Sequence, residues 1–401
     1  MYLLMSMNKT TPYIIMNILS KITCSALCLL LFTSCRQEII WPDEDAEGVG
    51  QPTTSADIRG FYLLNEGNWG SNKSSLDYYD YTTAQYHLNI YTQSNPHVVM
   101  ELGDVGNDLQ LYGSRLWAVI NGSNKIEVMQ ASKAQRIGQV DLANPRYIAF
   151  HQGYAYVTSY AGPVQDDATH IQRGIVVKID TLTLEKVDTC VVGCQPDGIA
   201  VLGNKLYVAN SGGYLVPNYE NTLSVIDIPS FTETGRIAVD INLHRVLSDR
   251  YGNLWVSSRS DYYDKPSALY RITNLDSTPS ITHISASNSN NIVVSNWALK
   301  GDSLYVLGND FSYTTNLATR NLAIVDVTTA QVLTTNFITD GTDTDIRDAY
   351  GLAVHPYSGD IFITDANGYI NPGILRCYSS QGQLKWKERT GDIPAHIVFV
   401  P

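Results

Sequence analysis

The sequence predicts an all-β fold: a seven-bladed β-propeller of four-stranded antiparallel blades, closed by the C-terminal strand joining the N-terminal blade. Three observations predict it. A strand-like phrase returns seven times, each repeat supplies four strand candidates, and one end of the chain lacks an inner strand that the other end has to spare.

The phrase reads FYLLNEG at Phe61, LWAVING at Leu116, AYVTSYA at Ala155, LYVANSG at Leu206, LWVSSRS at Leu254, LYVLGND at Leu304 and IFITDAN at Ile361. Its aromatics, Tyr62, Trp117, Tyr156, Tyr207, Trp255, Tyr305 and Phe362, are separated by 55, 39, 51, 48, 50 and 57 residues. A strand-borne period of this size is the signature of propeller blades. The clearest unit starts at Pro196 with PDGIAVL, turns at Gly203-Asn204, continues as KLYVANSG, then NTLSVIDI from Asn221, and ends with ETGRIAV from Glu233. These are four β-branched or aromatic runs punctuated by turn formers. Before the phrase at Phe61 there is no inner strand, whereas IPAHIVFVP from Ile393 has no partner after it. Pairing them completes one blade and removes the exposed edges of an open ring.

Composition agrees with one large β domain over residues 60–401, since 26 Tyr and 29 Gly with only 16% charged residues suit half-buried strands and tight turns. Residues 1–35 read as a secretory leader. Lys9 and Lys21 precede an apolar run from Ile22 to Phe32 that is far short of the ~20 residues a membrane span needs. The run ends in LLFTSC, a bacterial lipobox pattern in which Cys35 becomes the acylated N-terminus. Residues 36–59, with Pro42, Pro52 and the acids Asp43, Glu44, Asp45 and Glu47, read as a flexible acidic tether. Acids after Cys35 resemble the surface-export signal of Bacteroidetes lipoproteins, a resemblance that implies display on the outer face of the outer membrane, with a periplasm-facing protein as the alternative.

Once the leader is removed, 25 basic residues face 39 acidic ones, a net charge of -14. Nucleic acid, which needs a basic footprint, is therefore excluded as a partner. Membrane association is expected through the lipid only. Cys190, Cys194 and Cys377 are expected to be inert thiols, because an extended strand would hold the first two too far apart for a disulfide. Catalytic motifs are absent: no HExxH, GxSxG, Walker loop or CxxC occurs. His151 and His355 fall in or beside turns and read as solvated residues, and DGTDTDIRD from Asp340 lacks the ligand spacing of a calcium loop. No enzyme, cofactor or metal site is expected.

Informative residues instead gather on one face. Loops after each second strand and before each inner strand emerge on the same side of a propeller. On that side the reading places Trp69, Asn107, Arg146, Tyr160, Asp197, Tyr214, Arg245, Tyr263, Trp297, Tyr313, Arg347, Asp348, Tyr369 and His396 as candidate ligand contacts. Other residues in the same loops include Glu66, His244, Arg259, Tyr262, Asn309, Asp310 and Phe311. Turns on the opposite side, such as Gly203-Asn204 and Gly301-Asp302, are short and plain. Long decorated loops on one side of a rigid scaffold mark a binding face.

LYVANSG and AYVTSYA resemble YVTN-type propeller repeats. More specific are GFYLLNEGNWGSNKSSLDYYD from Gly60, NPRYIAF from Asn144, AYGLAVHPYSGDIFITDA from Ala349 and GILRCYSSQGQLKW from Gly373. In order and over nearly the whole propeller, they resemble the surface-exposed lipoproteins of Bacteroidetes that capture vitamin B12 and pass it to a TonB-dependent outer-membrane transporter. The resemblance implies a non-enzymatic protein with cobalamin, or a related corrinoid, as transported ligand rather than cofactor. A corrin is a broad disc fringed by amides, with a phosphate-bearing tail. It requires a wide platform of aromatic area with Asn, Asp and Arg to pair its polar rim.

Two other classes fit the same features. A propeller lactonase or lyase would ligate a metal at the axis, but the candidate ring of Asn107, Arg146, Asp197, Arg245, Trp297, Asp348 and His396 mixes in Arg and Trp, which are not ligands. A scaffold binding a glycan or an envelope protein would present a similar aromatic and amide face.

Overall fold

The computed structural model describes residues 47–51, 58–98, 101–164, 172–286 and 291–401. Within them, the seven phrases form the second strands of seven antiparallel sheets: Gly60–Asn65, Arg115–Ile120, Tyr154–Ser159, Lys205–Asn210, Leu254–Ser258, Ser303–Ser312 and Ile361–Asp365. Their inner strands, in the same order, are Pro394–Val400, Gly106–Tyr112, Pro145–His151, Pro196–Leu202, Leu243–Ser248, Asn296–Lys300 and Ala349–Val354. Numbering the blades 1 to 7 in this order gives a seven-bladed β-propeller. α-Helix among the described residues is confined to Ile90–Ser94.

The recurring aromatic has a packing cause. Apolar side chains form seven clusters, one at each junction between neighbouring blades. Trp117 of blade 2 packs with Ile148 and Val157 of blade 3, Trp255 of blade 5 with Leu304 and Val306 of blade 6, and Phe362 of blade 7 with Phe61 of blade 1. The second strand is covered on both faces, as Leu254–Ser258 and Ile361–Asp365 show by being buried at every residue. A strand so covered reads as a continuous apolar or small-residue run. Fourth strands diverge from the axis into solvent, and Thr232–Ala238 is accordingly polar and mostly exposed.

Neighbouring blades are also stapled near the axis by hydroxyls of the phrase. Thr158 Oγ1 accepts the Tyr147 N–H at 3.0 Å and donates to the Asp197 carbonyl at 2.7 Å, linking blades 3 and 4. Thr364 Oγ1 does the same between blades 7 and 1, accepting from Gly351 N–H and donating to the Pro394 carbonyl. Such bonds satisfy inner-strand groups that would otherwise be buried unpaired.

The terminal strands meet as the sequence predicts. Pro394–Val400 pairs antiparallel with Gly60–Asn65, in a register that runs from Gly60 opposite Val400 to Leu64 opposite His396.

Two expectations need amendment. Part of the segment read as tether is ordered: Glu47–Gly48 adds a fifth strand to blade 1 against Gln85–Tyr86, and Val49 is buried while its carbonyl accepts the Tyr79 hydroxyl at 2.8 Å. The cause is a three-residue fourth strand, Gln85–His87, which leaves an edge to be covered. His355, read as solvated, is buried between blades 7 and 1 beside Phe399 and Tyr81, and its Nδ1 accepts the Tyr357 and Ser358 N–H groups of its turn. Cys190, Cys194 and Cys377 are unpaired and buried, and burial pushes the Cys194 thiol up to about 11.

Candidate functional site

Second strands end and inner strands begin on one face, so their terminal residues converge on the propeller axis. There they enclose a pocket of about 330 Å³. Its wall takes Asn107 from blade 2, Arg146 and Tyr147 from blade 3, His244, Arg245 and Arg259 from blade 5, Tyr350 from blade 7, and Glu66 and His396 from blade 1.

One side is built around a buried charge triad. Asp197, fully buried at the start of the blade 4 inner strand, accepts Arg146 Nε at 2.8 Å and Arg259 Nη1 at 2.5 Å. Burial alone would push its carboxyl up, but the charges of Arg259 and Arg146 outweigh burial and hold it below the ordinary aspartate value. Arg146 also lies over the ring of buried Tyr160, 5.1 Å from the centroid. Behind these groups, the Tyr147 hydroxyl and His244 Nε2 lie 2.8 Å apart, bridging blades 3 and 5 past blade 4. Burial first, then the positive charges of Arg259, Arg245 and Arg146, drive His244 well below its ordinary pKa, so the ring is neutral at pH 7.

The other side is acidic and hydrogen-bonded. Tyr350 donates to Glu66 Oε2 at 2.8 Å, and burial followed by the Glu66 charge raises its pKa, which keeps that hydroxyl protonated. His396 Nε2 stands 3.7 Å from Glu66 Oε1, and its Nδ1 3.9 Å from Asp108 Oδ1. Asn107 Nδ2 donates to the Arg146 carbonyl at 2.6 Å and Asn296 Nδ2 to the Tyr350 carbonyl at 3.0 Å, fixing blades 2 to 3 and 6 to 7.

Aromatics stand exposed around this pocket. Trp69 is 70% exposed on the Asn65–Ser75 loop, whose backbone is held by Asp104 through the Gly70 and Asn72 N–H groups. Tyr214 packs edge-on to Tyr160 with centroids 6.5 Å apart, and Tyr369 likewise meets Tyr350 at 5.9 Å. The densest group lies at blades 5 and 6. Ser303–Ser312 and Leu317–Asp326 are each ten residues long and rise as a hairpin above the other blades' strands. Tyr313 N–H donates to the Tyr262 carbonyl at 2.8 Å, and Ser312 Oγ to the Tyr263 carbonyl at 2.6 Å, which ties the hairpin to the loop. Tyr262, Tyr263 and Phe311 line a second hollow of about 220 Å³ there, and Tyr313 packs against the rings of Tyr263 and Phe311.

The predicted contacts therefore separate into groups. Asn107, Arg146, Arg245 and His396 line the axial pocket, with Asp197 and Tyr160 directly behind Arg146. Trp69, Tyr214, Tyr263, Tyr313 and Tyr369 are exposed in loops of the same face. Arg347 and Asp348 form a local cap, with both backbone N–H groups donating to Asp365 and Asp348 Oδ2 accepting the Gly368 N–H; neither lines the pocket. Trp297 is not in a loop at all. It sits within the Asn296–Lys300 strand and packs against the blade 5 and 6 cluster, leaving Asn296 to line the pocket. Tyr147 and Tyr350 were not among the predicted contacts, because each reads as an ordinary strand aromatic. Cys35 lies outside the described residues.

Among the described residues, no group of three or more His, Cys, Asp and Glu is placed to hold a metal ion. The Asp340 run spends its acids on its own loop: Asp340 accepts Thr342 and Leu384 N–H groups, and Asp343 accepts Asn336 Nδ2.

Solved structures similar to this chain are propeller-like in fold and distant in sequence. A quinonprotein alcohol dehydrogenase-like protein from Bacteroides thetaiotaomicron is 13% identical with a TM-score of 0.55, over 85% of this chain and 78% of that one. A functionally unknown protein from Desulfotomaculum acetoxidans is 10% identical at 0.54, over 85% and 98%. The computationally designed Ika8 protein is 11% identical at 0.51, over 89% and 95%. At such identities the likeness concerns the fold alone. No curated protein matches the chain. The family model described as "Domain of unknown function (DUF5074)" matches residues 59–389, and the chain belongs to that family.

Proposed function

We propose that this protein is a non-enzymatic capture protein for a small polar molecule, with a corrinoid of the cobalamin type as first-choice ligand. One observation carries the reading: a polar axial pocket lies on the same propeller face as exposed aromatic side chains. A corrin disc is far too large for a hollow of about 330 Å³. It would lie across the mouth against aromatic side chains such as Trp69, Tyr214 and Tyr263, with one substituent entering the pocket. Flat aromatic area costs little side-chain entropy, and convergent amide, carboxylate and guanidinium groups pair the desolvated rim. The lipobox and the resemblance to B12-capturing lipoproteins support an outer-membrane setting and delivery to a TonB-dependent transporter.

Titration with cyanocobalamin, by calorimetry or tryptophan quenching, tests the reading directly. Trp69→Ala is expected to weaken binding more than tenfold, since an exposed aromatic anchor commonly contributes about 2 kcal/mol and 1.4 kcal/mol is one decade. Absence of heat and quenching at micromolar protein would remove the corrinoid and favour a glycan or partner protein on the same face. For the anchor, Cys35→Ala should release the propeller from the membrane fraction into the soluble one, as read by immunoblotting. Persistence in the membrane fraction would show another attachment.

A further inference from the structure

We propose that the axial pocket contains an anion subsite, built on Arg245 and His244 and flanked by Arg146 and Arg259, that takes a phosphate or carboxylate group of the ligand. The inference rests on the capture reading above and specifies which chemical group enters the pocket.

The donors there outnumber their acceptors. Arg146 and Arg259 share the two oxygens of Asp197, while the buried Nε of Arg245 has no hydrogen-bond partner. His244 is 8% exposed, lines the pocket, and has an unpartnered buried Nδ1. When the Tyr147 hydroxyl donates to Nε2, the proton of the neutral ring is on Nδ1, which makes it a second donor without an acceptor. Leaving such groups unmade is costly, and an anion's oxygens satisfy both.

Charge agrees with the count. Three guanidiniums face one ion-paired carboxylate, Asp197, and their combined field already helps to suppress protonation of His244. The other pocket carboxylates are occupied elsewhere. Glu66 accepts the Tyr350 hydroxyl and faces His396, while Asp310 Oδ2 accepts the Ser267 N–H at 2.8 Å. Arg245 is moreover held in place, its guanidinium 5.5 Å above the Tyr147 ring. A guanidinium over an aromatic ring is positioned by that contact while its N–H fork remains available to an oxyanion.

The test uses purified wild-type protein and Arg245→Gln, with inorganic phosphate, dimethyl phosphate and acetate as probes at matched ionic strength. Phosphate is expected to raise the wild-type melting temperature saturably above the chloride control, as a ligand of the folded state must. Arg245→Gln should need at least tenfold more phosphate for the same shift. Should that variant not fold, the wild-type titration decides alone, and no anion-specific shift overturns the subsite. Preference for dimethyl phosphate identifies a phosphodiester as the natural group, and preference for acetate a carboxylate.

Cyanocobalamin and dicyanocobinamide, which lacks the phosphate-bearing tail, separate this inference from the reading beneath it. Phosphate binding without cyanocobalamin binding keeps the subsite and removes the corrinoid. Cyanocobalamin binding equally to wild type and Arg245→Gln, with no phosphate effect, overturns the subsite and keeps the corrinoid.

Discussion

Asp197→Asn is expected to destabilise the propeller by about 3 to 5 kcal/mol, the usual cost of removing one partner from a buried ion pair. The carboxylate is fully buried and accepts one bond from Arg146 and one from Arg259. An amide of the same shape keeps one acceptor oxygen and none of the charge, so two guanidiniums remain near the axis without a counter-ion. The pH dependence has a definite sign. Asp197 is held below its unfolded pKa, so its contribution is complete above about pH 4 and is lost as the pH falls through the lower folded value. Urea unfolding should therefore show a constant gap between wild type and variant from about pH 8 to about pH 5, closing only on further acidification. A gap that closed near neutrality would mean that the guanidiniums do not hold this carboxyl down.

Deleting Ala395–Pro401 is expected to abolish cooperative unfolding altogether. The segment supplies the inner strand of blade 1 and places Phe399 against Phe61, Phe362 and His355, with ring centroids 5.9, 5.7 and 5.1 Å apart. Without it Gly60–Leu64 loses its ladder on one side, and the junction between blades 7 and 1 loses part of its apolar cluster. Domain stability is only about 5 to 15 kcal/mol, so the loss of a strand and a core wall together exceeds what the rest can offset. Thermal unfolding followed by circular dichroism is the check. A single sharp transition at the wild-type temperature would show that the ring does not depend on its seam.

The fold was legible because each blade repeats one physical problem. A strand covered on both faces needs apolar or small residues throughout, and a wedge between blades needs one aromatic, so Trp117, Trp255 and Phe362 announce their blades in sequence. The site was legible only where side type did not depend on register. Arg146 and Arg245 carry charge at the right end of an inner strand, and either parity would have attracted notice. Trp297 shows the opposite case: alternation along a strand turns it into the blade junction and gives the pocket to Asn296. Tyr147 and Tyr350 were hidden for the same reason. The Asp197 triad joins residues 51 and 62 positions apart, a pairing that composition and local spacing do not encode.

All seven apolar clusters lie between blades, and the axial face is built mainly from polar groups and tyrosines. Apart from Tyr147 and Val294, which belong to both a blade junction and the pocket wall, cohesion and recognition are thus divided between different residues. A substitution at Arg245 or His396 alters what the pocket can hold while leaving every blade junction intact, whereas Asp197 serves both ends and tolerates little. Changes confined to strand starts would then alter the chemistry of the pocket while the blade junctions keep the framework folded.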